Sequence, residues 1–158
     1  MLARFARRSI AALASAAILA VPAAAFAQGS ETAQGAKDAG SLSLELNRAV
    51  DTDQGCRLGF VTTNKTGVDL AKAAFEVVLF KPGGLIDRLL VLDFGAMDEG
   101  RTKVREFNLS GADCKAIDRV LVNDVAACEG ADGGEAVDKN RCMSALAASS
   151  KADIAFGL

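Results

Sequence analysis

The sequence predicts an all-β antiparallel sandwich, and three observations carry that expectation. Apolar residues recur with a period of two along seven short segments, as on strands that bury one face. Between most of these segments lie short clusters of Gly, Asp, Asn, Pro and Ser, the chemistry of tight turns. No helical segment separates the first six, so the pattern favours an antiparallel sandwich over parallel βαβ units.

The first predicted strand is 41–50, where Leu42, Leu44 and Leu46 alternate with Ser43 and Glu45. The turn Asp51-Thr52-Asp53-Gln54-Gly55 leads to the second, 56–64, with Cys56, Leu58 and Phe60 on one face. Asn64-Lys65-Thr66-Gly67 is the next turn. The third strand, 73–80, aligns Phe75, Val77 and Leu79, and Lys81-Pro82-Gly83-Gly84 ends it. The fourth, 85–95, places Ile86, Leu90, Leu92 and Phe94 together. Leu89 and Val91 make it apolar on both faces, as expected of a more central strand. The fifth, 101–109, alternates weakly, with Lys103 and Arg105 around Val104. The sixth, 116–125, holds the run Val120-Leu121-Val122, and the seventh, 152–158, sets Ile154, Phe156 and Leu158 on one face. Between the last two lie a Gly-rich acidic loop and a short helix. Asp138 is its expected N-cap, and Cys142 and Leu146 are one turn apart on its surface.

The strands are expected over 41–158, as one domain. What precedes them reads differently. Residues 1–27 have a positive start at Arg4, Arg7 and Arg8, an apolar stretch from Ile10 to Ala20, and Ala25-Phe26-Ala27 before Gln28. That is the form of a secretory signal peptide cleaved after Ala27. Pro22 breaks the apolar run below the roughly 20 residues a membrane span needs. The paired arginines fit either a general or a twin-arginine export route. Residues 28–40 are small, polar and Gly-rich, and read as a disordered leader. The expected address is therefore the periplasm, with no membrane span after cleavage.

Composition excludes several chemistries. The chain has no His, Tyr or Trp. No imidazole base and no His-ligated metal or haem is possible, and acid–base work would fall to Asp, Glu, Lys or Cys. Three of the 18 basic residues and none of the 20 acidic ones lie in the signal, leaving a net charge of −5. That argues against nucleic acid, which wants a basic footprint. No Gly-rich phosphate loop opens a helix, so no nucleotide or other cofactor is expected.

The four cysteines, Cys56, Cys114, Cys128 and Cys142, are at least 14 residues apart. Zinc and iron–sulfur sites want close pairs. An oxidising compartment instead points to two disulfides. With consecutive strands antiparallel, Cys56 and Cys114 fall at one end of the sandwich and Cys128 at the other. A strand of eight residues spans about 26 Å at about 3.3 Å per residue, whereas a disulfide needs Cα atoms within about 7 Å. The expected pairing is Cys56 with Cys114 and Cys128 with Cys142.

From residue 56 to 109 the chain resembles the FxLyD-type immunoglobulin-like domains of exported bacterial proteins. There, N-x-[ST]-G leads one turn, F-x-x-x-G the next, and G-x-[TS]-x-x-F a following strand. Here these correspond to 64–67, 80–84 and 100–107, with Asn64, Gly67, Phe80, Gly84, Gly100 and Phe107 as the signature positions. The whole exported chain is similar to a group of Gram-negative exported proteins labelled by their twin-arginine-like signal. The resemblance implies an immunoglobulin-like sandwich and brings no catalytic residue with it.

Three further motifs have two readings each. Asp51-x-Asp53-x-Gly55 opens like an EF-hand loop, but that loop wants an oxygen ligand fifth, Gly sixth and Glu twelfth. Gly55, Cys56 and Thr62 stand there, so a turn is the simpler reading. The acidic loop with Glu129, Asp132, Glu135 and Asp138 is either a loose calcium site or a solvated loop. Lys103, Arg105, Arg101 and Arg88 form a basic stripe that reads as charge protecting a sheet edge. The expected function is a non-enzymatic, exported binding or protein-interaction module, its partner another periplasmic or envelope protein, using an exposed strand edge or the acidic insert. The alternatives are a thiol–disulfide role for Cys128 and Cys142, or weak calcium binding in the envelope.

Overall fold

The computed structural model describes residues 40–131 and 138–158. Among them eight strands follow in order: β1 (Ser41–Thr52), β2 (Gly55–Lys65), β3 (Leu70–Phe80), β4 (Ile86–Met97), β5 (Thr102–Ser110), β6 (Arg119–Gly130), β7 (Leu146–Ser150) and β8 (Ala155–Gly157). A 3-10 turn, Cys114–Ala116, precedes β6, and the helix α1 (Lys139–Ala145) precedes β7. The signal peptide and all of the leader but Gly40 lie outside the described residues. No described helix is long and apolar enough to cross a membrane.

The strands form two four-stranded sheets, β5-β2-β1-β7 and β4-β3-β6-β8. The expected all-β sandwich is the fold observed. Each sheet turns its alternate apolar residues inward, so Leu42, Leu44 and Leu46 of β1 are fully buried. Phe60 stands at the centre. Its ring meets Phe94, Phe107 and Phe156 edge-on, at centroid distances of 5.4, 5.8 and 5.2 Å. Each such pair contributes about 0.5–1.5 kcal/mol beyond its burial.

Two strands depart from the antiparallel expectation. β7 pairs parallel with β1, and β8 pairs parallel with β6. The seventh predicted strand shortens to Ala155–Gly157, and a further strand, Leu146–Ser150, stands in the stretch expected to be helical. Chain 146–150 rises along β1, residues 151–154 cross between the sheets, and β8 then descends beside β6. Leu146 is not on the helix surface: it is the C-cap of α1 and the first residue of β7. Ala-Ala-Ser-Ser gives no alternation that would have marked a strand, and the hydrogen bonds of β1 supply what its side chains do not. Ile154 and Phe156 are buried as expected, whereas Leu158 is 62% exposed.

A further correction concerns β4. Apolar on both faces, it read as a central strand, yet it is the edge of its sheet. Its inner face buries Leu92, Phe94 and Met97, while Leu89 and Val91 are each 54% exposed.

Candidate interaction surface

The stretch 51–56 shows how local sequence positions the fold's covalent staples. Asp51 and Cys56 are cross-strand partners at the β1–β2 turn. The Thr52 hydroxyl donates to the Gly55 carbonyl at 2.8 Å. Asp51 Oδ1 accepts from the Cys114 backbone N–H at 2.8 Å, so this carboxylate orders the segment that carries the partner cysteine. Cys56 and Cys114 are bonded, with Cα atoms 4.9 Å apart. Cys128 and Cys142 are bonded across 6.2 Å. Both expected pairings are present. Cys128 and Cys142 are 5% and 1% exposed, which hides their sulfurs from attack by an external thiol.

The other calcium candidate divides at the boundary of the described residues. Asp138 caps α1, its carboxylate accepting from the Asn140 N–H at 3.0 Å, and Glu129 is exposed at the end of β6. Asp132 and Glu135 lie outside the described residues. Among the described residues no group of three or more potential ligand side chains converges.

Asn64 is a sequon residue by pattern but is fully buried. Its amide donates to the Val68 and Met97 carbonyls at 2.8 and 2.7 Å. Its oxygen accepts from the backbone N–H and the hydroxyl of Thr66, at 3.0 and 2.8 Å. One side chain thus organises the turn after β2 and ties it to the end of β4.

The basic stripe has a specific role. Lys103 and Arg105 point inward from β5 and are half-buried. Arg105 Nε donates to the Phe94 carbonyl at 2.7 Å, and Lys103 Nζ to the Ala96 carbonyl at 3.1 Å. Arg88 Nη1 reaches the Ser110 carbonyl at 3.2 Å. Three cations lace the open seam between β4 and β5 and occupy carbonyls that an incoming strand would need. Asp98 sits between Lys103 and Arg101, at 3.2 and 3.1 Å. The hydrogen bond from Lys103 is the main cause that holds its carboxyl below the usual range.

The two outer faces of the sandwich differ in kind. The β5-β2-β1-β7 face is mostly polar: Ser43, Thr63 and Thr102 form one row, and Arg48 and Glu106 pair across Gly59, while Val104 is an exposed apolar residue on it, 63% accessible beside Val61. The β4-β3-β6-β8 face is apolar along its middle. Leu89, Val78, Leu121 and Gly157 are successive cross-strand partners, so they make one row across all four strands. The row above holds Ile86, Phe80 and Arg119, with the Arg119 guanidinium 4.5 Å above the Phe80 ring. The row below holds Val91, Glu76 and Asp124. Leu85 and Ile86 are 69% and 62% exposed at the end of this patch. The salt-bridged Asp87, its carboxyl held low first by Arg88 and then by Lys81, lies at the same end.

An exposed apolar edge of Ile86, Leu89 and Val91, continued by half-buried Phe80 and Leu121 over a buried Val78 and rimmed by charge, has the composition of an interaction surface. It was not singled out from sequence, because a strand apolar on both faces reads the same whether it is central or at an edge. As for an exposed strand edge, the last strand, β8, does lie at a sheet edge but is only three residues long. A cavity of about 430 Å³ opens at the Cys56–Cys114 end, between Ala49, Pro82, Ile117 and Ile154. Its charged lining is Asp51, Lys115, Asp118 and Asp153, and Asp51 is already committed to the Cys114 N–H. Searches against protein-family models, curated proteins and solved structures find no match to this chain.

Proposed function

We propose that the chain is an exported, non-enzymatic interaction module of the periplasm, released by cleavage after Ala27, that docks a protein partner of the cell envelope on the outer face of the β4-β3-β6-β8 sheet. The observation that carries this is the exposed apolar group Leu85, Ile86, Leu89 and Val91 along β4 and its approach, continued across the sheet by the half-buried Phe80 and Leu121. Apolar side chains on an aqueous surface are costly unless something covers them. A strand order compatible with an immunoglobulin-like sandwich supports the same reading. β2 lies between β1 and β5 in one sheet, β3 between β4 and β6 in the other, and a bridge runs from β2 to the entry of β6. Such sandwiches serve widely as rigid scaffolds for recognition.

The test is crosslinking in intact cells through a photoreactive residue at position 91. The parent chain is expected to capture a discrete envelope protein, and Leu89→Asp is expected to abolish the adduct while the chain stays folded and exported. Failure of the parent to capture any protein, or capture that is indifferent to Leu89→Asp, sinks the proposal.

A further inference from the structure

We infer that the apolar face is covered in solution by a second copy of this chain, related by a two-fold axis that lies along the row Leu89–Val78–Leu121. The inference rests on reading that face as an interaction surface and names its occupant. A two-fold contact requires that one patch complement itself. An axis in the plane of contact, running across the strands, exchanges the two ends of the face. Residues on the row then meet their own copies, and residues one step above meet those one step below.

The face satisfies that condition at each strand. Leu89 meets Leu89 and the half-buried Leu121 meets Leu121, over a Val78 that is itself only 5% exposed. On β4, Ile86 above the row faces Val91 below it, and both are exposed. On β3, Phe80 above the row faces Glu76 below it. On β6, Arg119 above the row faces Asp124 below it, and the Arg119 side chain lies over the Phe80 ring, 4.5 Å from guanidinium carbon to centroid, so its charge also stands toward Glu76. Each contact therefore sets cation against carboxylate, twice per dimer. Neither Arg119 nor Glu76 has a charged partner within its own copy among the described residues. Among the described residues Arg119 and Glu76 take part in no ion pair, and Glu76 accepts only from the Asn123 amide, at 2.6 Å. An axis running along the strands would instead keep like ends together and bring the two Arg119 residues to one level. The charge pattern selects the crosswise axis. Gly157 at the end of the row leaves room for the second sheet to cross at the usual angle of about 30°.

Sedimentation equilibrium on the exported protein, with both bridges intact, tests this. The parent is expected to be a dimer at micromolar concentrations. Arg119→Glu and Glu76→Arg each place like charges together twice and are expected to raise the dimer Kd about tenfold or more. The two combined are expected to bind more tightly than either single variant, since the swap restores the contact between positions 119 and 76 though not the one with Asp124. Should Glu76→Arg fail to fold, Glu76→Gln is expected to weaken the dimer in the same direction by less. A parent that is monomeric into the millimolar range overturns the inference, as does a dimer indifferent to both single changes or a double variant no tighter than the singles. A monomer that still crosslinks to a different envelope protein through residue 91 overturns the second copy and leaves the interaction-surface reading standing. Neither dimer nor adduct overturns both.

Discussion

Asn64 shows how much one buried amide can carry. It satisfies two carbonyls, one N–H and one hydroxyl. Asn64→Asp keeps the shape but sets a carboxylate oxygen against two carbonyl oxygens. A loss of about 2–4 kcal/mol is expected, read as a lower urea midpoint with an unchanged slope. Asn64→Ala is expected to cost a similar amount by orphaning the same partners. Gly55 is a second residue where chemistry leaves no choice. Its φ is +135°, and a Cβ there would collide with the Leu109 carbonyl of β5. Gly55→Ala is expected to destabilise by about 1–3 kcal/mol, in the same melt. The two aspartates before it look alike in sequence and do unlike things, since Asp51 orders Cys114 while Asp53 is an exposed turn residue.

At the scale of elements, the two bridges differ in what they restrain. Cys56–Cys114 closes a separation of 58 residues and holds β2 to the entry of β6. Cys128–Cys142 closes 14 and holds α1, and through it β7, to β6. Replacing the first pair by Ser is expected to cost about 4 kcal/mol and the second about 3, measured by urea unfolding of the two double variants. The second is also expected to release α1 and β7 locally, seen as faster amide exchange in 139–150 than in β2 or β3. The seam offers another expectation. Arg105→Ala and Lys103→Ala together uncover the Phe94 and Ala96 carbonyls on β4, and light scattering on heating is expected to begin at a lower temperature.

These elements also mark how far sequence reaches. β1, β2, β3 and β6 were legible because each has one face in the core, and a period of two records that. The cysteine pairing was legible because strand direction alone decides which ends can meet. β7 was not, because Ala and Ser carry no periodicity and its place depends on a parallel partner far away in the chain. The edge position of β4 was not, because edge and centre differ in neighbours and not in composition. The interaction surface follows from that edge position, so it could not be read before the sheet order was known.

For the whole molecule, the absence of His fixes the form of its pH response. Glu45, Asp87 and Asp98 are held below the usual carboxylate range by hydrogen bonds, chiefly from Asn47, Arg88 and Lys103 respectively. A depressed folded pKa adds stability that is fully present above the unfolded value and is lost as pH falls through the folded one. The melting temperature is therefore expected to be flat from about pH 8 to about pH 6 and to fall only below about pH 4. All three carboxylates lie at the surface, so the fall is expected to be gentle and to shrink in high salt. A pronounced transition near neutrality in a thermal scan would contradict this account.

The parallel closures have a consequence in time. Leu42 takes its lateral partner from Leu146, and Val120 from Phe156. A chain made and delivered from its N-terminus keeps the flank of β1 bare until β7 has emerged, and that of β6 until β8 has. The earlier strands can condense, but the protein cannot latch. That delay leaves an interval in which an unlatched β1, with its three core leucines, is open to a holding chaperone or to a wrong neighbour.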